Sequence, residues 1–116
     1  MEVRARDRAE PFTTKDGSTI RELLGAGVAV QQSLAEATLE PGQATRRHRH
    51  RASEEIYYLL DGRGEMEVDG ERAAVASGDA ILIPAGAWHQ IRAGDEGVRF
   101  LCCCAPPYAD ADTFFA

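Results

Sequence analysis

The chain is sparing with the groups that most often reveal a protein's chemistry. It has three histidines, three cysteines and one tryptophan among 116 residues. The cysteines are consecutive, Cys102-Cys103-Cys104, which excludes a disulfide framework. Neighbouring side chains on a strand point to opposite faces, so the three are not expected to chelate one ion together. They read as small buried hydrophobes in a reducing compartment. No apolar run approaches the ~20 residues of a membrane-spanning helix, so no membrane partner is expected. Met1 to Glu10 is charged and lacks the apolar centre of a secretory signal, which leaves a cytoplasmic location as the expectation. Phosphate-cradling and dinucleotide-binding glycine patterns are missing, and the glycines serve turns instead. No long helical period, internal repeat or low-complexity segment occurs.

One sign of charge is also short. The formal net charge is −6, whereas a nucleic-acid binder presents a basic face, so no nucleic-acid partner is expected. The single basic run, Arg46, Arg47, Arg49 and Arg51, is interleaved with histidines. It reads as a solvated loop, with an anion-attracting rim around a pocket as the alternative.

What is present is the pattern of one all-β domain. Residues are 44% apolar and 28% charged, an ordinary globular balance, and the length suits a single core. Residues 1–27 are expected to form an N-terminal arm, 28–105 a β-barrel and 106–116 an irregular tail. In the arm, Phe12-Thr13-Thr14 and Ser18-Thr19-Ile20 flank Lys15-Asp16-Gly17, a hairpin signal. A helical turn over Arg21 to Leu24, capped by Thr19 and Glu22, competes with it. From Val28 onward short strands are broken by Glu40-Pro41-Gly42, Asp61-Gly62, Asp69-Gly70, Ser77-Gly78-Asp79, Pro84-Ala85-Gly86 and Gly94 to Gly97. Turns at that spacing indicate a sandwich or barrel. The apolar run Ile56 to Leu60 fits a strand covered on both faces, while Met66 and Val68 suit the barrel lining.

The histidines carry the candidate chemistry. His48 and His50 are two apart, hence on one face of a strand and about 7 Å apart along it. Imidazoles and carboxylates converging at about 2.0–2.3 Å are what a divalent metal requires. Glu54 and Glu55 follow a turn, and alternation alone leaves open which of them faces inward. With Glu55 inward, Tyr57 and Leu59 line the pocket; with Glu54 inward, Ile56, Tyr58 and Leu60 do.

The segment Gly42 to Gly62 resembles the first motif of the cupin superfamily: glycine, five residues, His48-x-His50, four residues, Glu55, six residues, Gly62. Gly78 to His89 resembles the second: Gly78, five residues, Pro84, one residue, Gly86, two residues, His89. The family's motif continues to an asparagine where this chain has Ala93, a departure that removes a polar group and no ligand. The resemblance implies a jelly-roll barrel of the small single-domain bacterial type, with His48, His50, Glu55 and His89 on one divalent transition metal (iron, manganese, nickel, zinc or copper). It settles the carboxylate as Glu55. With all three histidines so committed, no serine or cysteine nucleophile retains a partner base.

Four ligands leave two positions of an octahedral ion open. The activity this implies first is a metal-dependent oxygenase, dioxygenase-like, acting on a small organic molecule. A non-redox isomerase, cyclase or lyase is the second reading, and a non-catalytic binding or sensing module the third. By parity Tyr57 and Arg46 are the candidates to touch substrate, with Arg46 otherwise at a solvated rim. Trp88 suits core or a subunit contact. The Phe114-Phe115 pair in the tail suggests a homodimer, to which the arm could add an exchanged strand.

Overall fold

The structure, a computed structural model, describes residues 1–116. Nine strands form one curled sheet: β1 (Phe12–Thr13), β2 (Thr19–Leu24), β3 (Ser33–Leu39), β4 (His48–His50), β5 (Glu54–Val68), β6 (Glu71–Ala76), β7 (Ala80–Ile83), β8 (His89–Ala105) and β9 (Thr113–Phe115). There is no α-helix, only two short 3-10 turns at Arg6–Arg8 and Asp110–Asp112. None of this is a helix long and apolar enough to cross a membrane.

Two long antiparallel strands are the spine. β5 and β8 pair from Glu54↔Ala105 to Val68↔His89. β8 also carries β3 on its C-terminal half, from Val98↔Leu39 to Cys104↔Ser33, and meets β4 through His89↔His48. β5 takes β7 beside its first half and β6 beside its second. The sheet curls around Leu39, Tyr57, Leu59, Met66, Ile83, Ile91 and Phe100, all at most 3% exposed. Burial of these side chains is the main stabilising term, about 1.5–3 kcal/mol each.

The turn chemistry behaves as its residues require. Asp69 (φ 48°) and Gly70 (φ 87°) connect Val68 to Glu71 as a two-residue turn with both central residues left-handed, the hairpin type whose twist matches the strands. The competing helical turn at Arg21–Leu24 does not form. Its backbone pairs with β3 instead (Arg21↔Glu36, Glu22↔Ala35), and the hairpin β1–β2 stands. Residues 1–27 are thus less an arm than an arm with a two-stranded sheet edge attached.

Five expectations need correction. Val28 to Gln32 is a loop, closed by hydrogen bonds from Val28 N–H and Ala29 N–H to the Gly25 carbonyl at 3.1 and 3.0 Å, and the strand begins at Ser33. Ile56–Leu60 is not covered on both faces: Tyr57 and Leu59 are buried, whereas Ile56 and Tyr58 are 41% and 43% exposed, because no second layer covers the outer face of this chain. Asp61-Gly62 does not end β5. The strand passes through a bulge there, where Gly62 sits so close to β8 that a Cβ would lie 2.2 Å from the Gly97 carbonyl oxygen. Gly94–Gly97 is correspondingly a bulge within β8, not a break between two strands. Finally, the tail is not irregular throughout; its end forms β9, paired with β4 as His48↔Phe115, Arg49↔Phe114 and His50↔Thr113.

Candidate metal centre

β4 is short, but both of its histidines face inward and are buried, at 3% and 4% exposure. The first residue of β8, His89, pairs with His48 across the sheet and is fully buried. One ligand atom from each of the three imidazoles lies within 4.8 Å of the others. On β5 the alternation resolves in favour of Glu55, which is 4% exposed beside these rings while Glu54 is exposed. Glu55 Oε1 lies 3.2 Å from His50 Nε2 and 3.3 Å from His89 Nε2. The four residues that the sequence singles out as ligands are therefore together.

One proton of each ring is fixed from outside. His48 Nδ1 lies 2.7 Å from the Arg46 carbonyl oxygen and His89 Nδ1 2.9 Å from that of Ala87. A carbonyl only accepts, so both Nδ1 atoms carry the proton. His50 Nδ1 lies 3.0 Å from Thr113 Oγ1, and that hydroxyl donates to the Ala109 carbonyl at 3.0 Å. Thr113 is therefore an acceptor toward His50, which makes His50 Nδ1 the donor too. In its neutral form each ring then turns the Nε2 lone pair inward, the arrangement that metal-binding imidazoles require.

Two atoms are left without partners by this arrangement. His89 Nε2 and Glu55 Oε1 are buried and hydrogen-bonded to nothing, although they lie 3.3 Å apart. Lone pair facing lone pair in a dry site is unfavourable unless a cation or proton lies between them. A divalent ion fits that requirement, and so does the donor set, nitrogen and carboxylate oxygen. Burial pushes the Glu55 carboxyl up, but His50 and His89 outweigh it and hold it at about 2. Burial, reinforced by His89, lowers His48. Both directions favour the metal-binding forms, an ionised carboxylate and a neutral imidazole.

The site opens into a cavity of about 320 Å³, more than half of whose lining residues are hydrophobic. Tyr57 stands in its wall as expected from parity, 3% exposed, its ring 4.6 Å from Phe100 and edge-on to His89 at 6.1 Å. Burial, with the nearby Glu55 charge, pushes its phenol well above the usual range, so the hydroxyl keeps its proton. Arg46 does not reach the cavity. It is exposed, with its guanidinium 4.1 Å from the centre of the Phe115 ring. The rest of the basic run is not an anion rim either: Arg47 binds Glu67 at 2.6 Å, and Arg49 lies over Trp88 and Phe114 at 5.3 and 5.4 Å.

Several contributors escape sequence reasoning. Cys102 and Cys104 are not inert filler, since both line the cavity, and Cys104 Sγ donates to Glu55 Oε2 at 3.2 Å. Burial, with the Glu55 charge, raises both thiols. Their parity with Phe100 on β8 was the available signal. Asp16, in the β1–β2 turn, also lines the cavity, its Oδ2 3.8 Å from His48 Nε2. Nothing local marks it. The tie is tertiary, a hydrogen bond from Arg46 N–H to the Asp16 carbonyl at 2.7 Å. Thr113 is hidden in the same way, 63 positions from the histidine it holds.

A curled antiparallel barrel with inward histidines on one strand pair defines a class, and residues 35–104 match the family model described as "Cupin domain". The chain belongs to the cupin family. It is 48% identical over 110 residues to an uncharacterized protein of Methanocaldococcus jannaschii, covering 92% of this chain and 88% of that one. It is 31% identical over 101 residues to quercetin 2,3-dioxygenase of Bacillus subtilis, covering 78% of this chain but only 30% of the dioxygenase. Among solved structures, the polyketide cyclase RemF from Streptomyces resistomycificus superposes with a TM-score of 0.79 at 25% identity, over 97% of this chain and 89% of that one.

Proposed function

We propose that this chain is a mononuclear metal-dependent enzyme for a small organic substrate, with dioxygenation as the reaction read first. His48, His50, His89 and Glu55 would hold one divalent transition metal. The observation that carries the reading is the orphaned pair, His89 Nε2 and Glu55 Oε1, buried without partners beside an apolar cavity. Such an ion supplies Lewis acidity and, where redox-active, one-electron chemistry. Similarity to quercetin 2,3-dioxygenase supports the oxidative choice.

The chain's own groups have separable tasks. The Arg46 and Ala87 carbonyls and Thr113 orient the imidazoles. Cys104 steadies Glu55 Oε2 and leaves Oε1 free. Tyr57 and Phe100 keep the wall dry, and the protonated Tyr57 hydroxyl can donate to a substrate oxygen. A second reading, a non-redox cyclase, lyase or isomerase, is favoured by Asp16, a carboxylate placed to accept a substrate proton on the cavity side of His48. Oxygen uptake by metal-loaded protein with a panel of diketones, thiols, phenols and keto acids separates the two. Consumption of dioxygen with substrate supports the first, and turnover without it the second. The row Ile56, Tyr58 and Leu82, exposed on the outer sheet face, supports a homodimer, which sedimentation velocity tests.

A further inference from the structure

We infer that the cavity takes a neutral or cationic small molecule with an apolar body and a hydrogen-bond-donating end, and rejects anions such as carboxylates and phosphate esters. The inference builds on the proposed function, which supplies the place of reaction, while the sign of the preference comes from the cavity's own charges.

Four carboxylates line this space, Asp16, Glu22, Glu55 and Asp110, and no lysine or arginine does. Asp16 and Glu55 lie within it, with side chains 16% and 5% exposed, while Glu22 and Asp110 stand at the exposed rim. Apart from the imidazoles, the ionisable groups with a fixed sign around this space are thus all acidic, from the inner part to the rim. The arginines that could reverse this are turned away, Arg46 onto Phe115 and Arg47 onto Glu67. An entering anion would lose its water and meet like charges where screening is weak.

Asp16 supplies the attachment point. Its Oδ1 is already taken by the Ser18 N–H at 2.9 Å and the Ser18 hydroxyl at 2.6 Å. Its Oδ2 is 3.8 Å from His48 Nε2, too far for a hydrogen bond, and free to accept from a ligand. The turn is held still by the Arg46 N–H on the Asp16 carbonyl and by Gln43 Nε2–H on the Gly17 carbonyl, both at 2.7 Å. An alcohol, phenol or ammonium at Oδ2 gains a charge-assisted hydrogen bond. Phe12, Ile20, Leu34 and Phe100 provide the apolar surface for its body.

Benzyl alcohol, benzylamine and benzoate share one body and differ at its end, so their dissociation constants read the preference directly. Titration by NMR is made on the full chain, both metal-free and zinc-loaded. The alcohol and amine are expected to bind on the order of tenfold tighter than benzoate on metal-free protein and to keep a lead when zinc is bound. Asp16→Asn is expected to weaken benzylamine several-fold and narrow its lead over benzoate, with zinc stoichiometry unchanged. The inference is overturned if benzoate binds as tightly as the other two, if none of the three binds, or if folded Asp16→Asn keeps the full ranking. The ranking in wild-type protein stands as a test even if the variant does not fold. Failure to take up any metal would sink the proposed centre and leave the metal-free ranking intact. A benzoate preference with stoichiometric zinc would do the reverse.

Discussion

Glu36 and Glu55 are buried almost equally, at 3% and 4% exposure, in opposite company. Glu36 on β3 accepts from Arg6 Nη2 at 2.9 Å and Arg99 Nη1 at 3.1 Å. Glu55 on β5 faces His50 and His89 nitrogens at 3.2 and 3.3 Å, with a thiol on its other oxygen. In both, burial pushes the carboxyl up and the neighbours pull it below its ordinary value. The neighbours differ in kind. Guanidinium is a permanent cation, so Glu36 is complete as it stands and ties the N-terminal segment and β8 to β3. Imidazole is not a permanent cation, so His50 and His89 can satisfy Glu55 only by sharing a proton or a metal ion with it. A closed buried carboxylate is architecture; an open one is a candidate site.

The largest expected effect falls on the open member. His50→Ala is expected to reduce metal affinity by more than the ~10–100-fold typical of losing an outer partner, with circular dichroism unchanged. Glu36→Gln is expected to leave metal binding intact and lower unfolding stability by about 1 kcal/mol, a modest value because both arginines are partly exposed; metal titration and urea midpoints check the pair. Next in size is ligand linkage. Metal at 100 times its Kd is expected to stabilise the wild type by about 2.7 kcal/mol, seen as a rise in Tm that a chelator reverses, and to leave His50→Ala unmoved.

Thr113→Val tests whether the tail supports the centre, with an expected fall in metal affinity of about tenfold and recovery in Thr113→Ser. The smallest effect is in acid. Each carboxyl is depressed when folded, so its contribution is full above its unfolded value and is lost as pH falls through the folded one. For metal-free Glu55 that window runs from 4.5 down to about 2. Urea midpoints across it are expected to decline with falling pH, less steeply in Glu55→Gln than in wild type.

Much of this was legible in the residues, and what was not has a common cause. Alternation along β4 placed His48 and His50 on one face, and parity along β5 placed Tyr57 and Leu59 once Glu55 was chosen as the inward carboxylate. Asp69-Gly70 declared its turn through left-handed φ values that few residues accept. Parity left Glu54 and Glu55 undecided, since the turn at residues 51–53 resets it, and the motif spacing to Gly62 decided between them. The failures were tertiary. Asp16 and Thr113 act through segments docked from far along the chain, and nothing within several residues of either predicts the docking. Arg46 shares the parity of the histidines but precedes the strand, where parity no longer governs, and it found Phe115 instead. The glycines at 62, 94 and 97 looked like strand ends because glycine usually marks turns; here Gly62 and Gly94 permit the close approach of β5 and β8, and Gly97 that of β8 to the end of β3.

The central claim is that Glu55 and the three histidines are open because they hold an ion. Elemental analysis of wild-type, Glu36→Gln and His50→Ala proteins, purified without added metal or chelator, tests it most directly. The account predicts about one divalent transition metal per chain in the first two and a small fraction of that in the third. Wild-type protein without stoichiometric metal, or a folded His50→Ala protein that keeps it, would contradict the account.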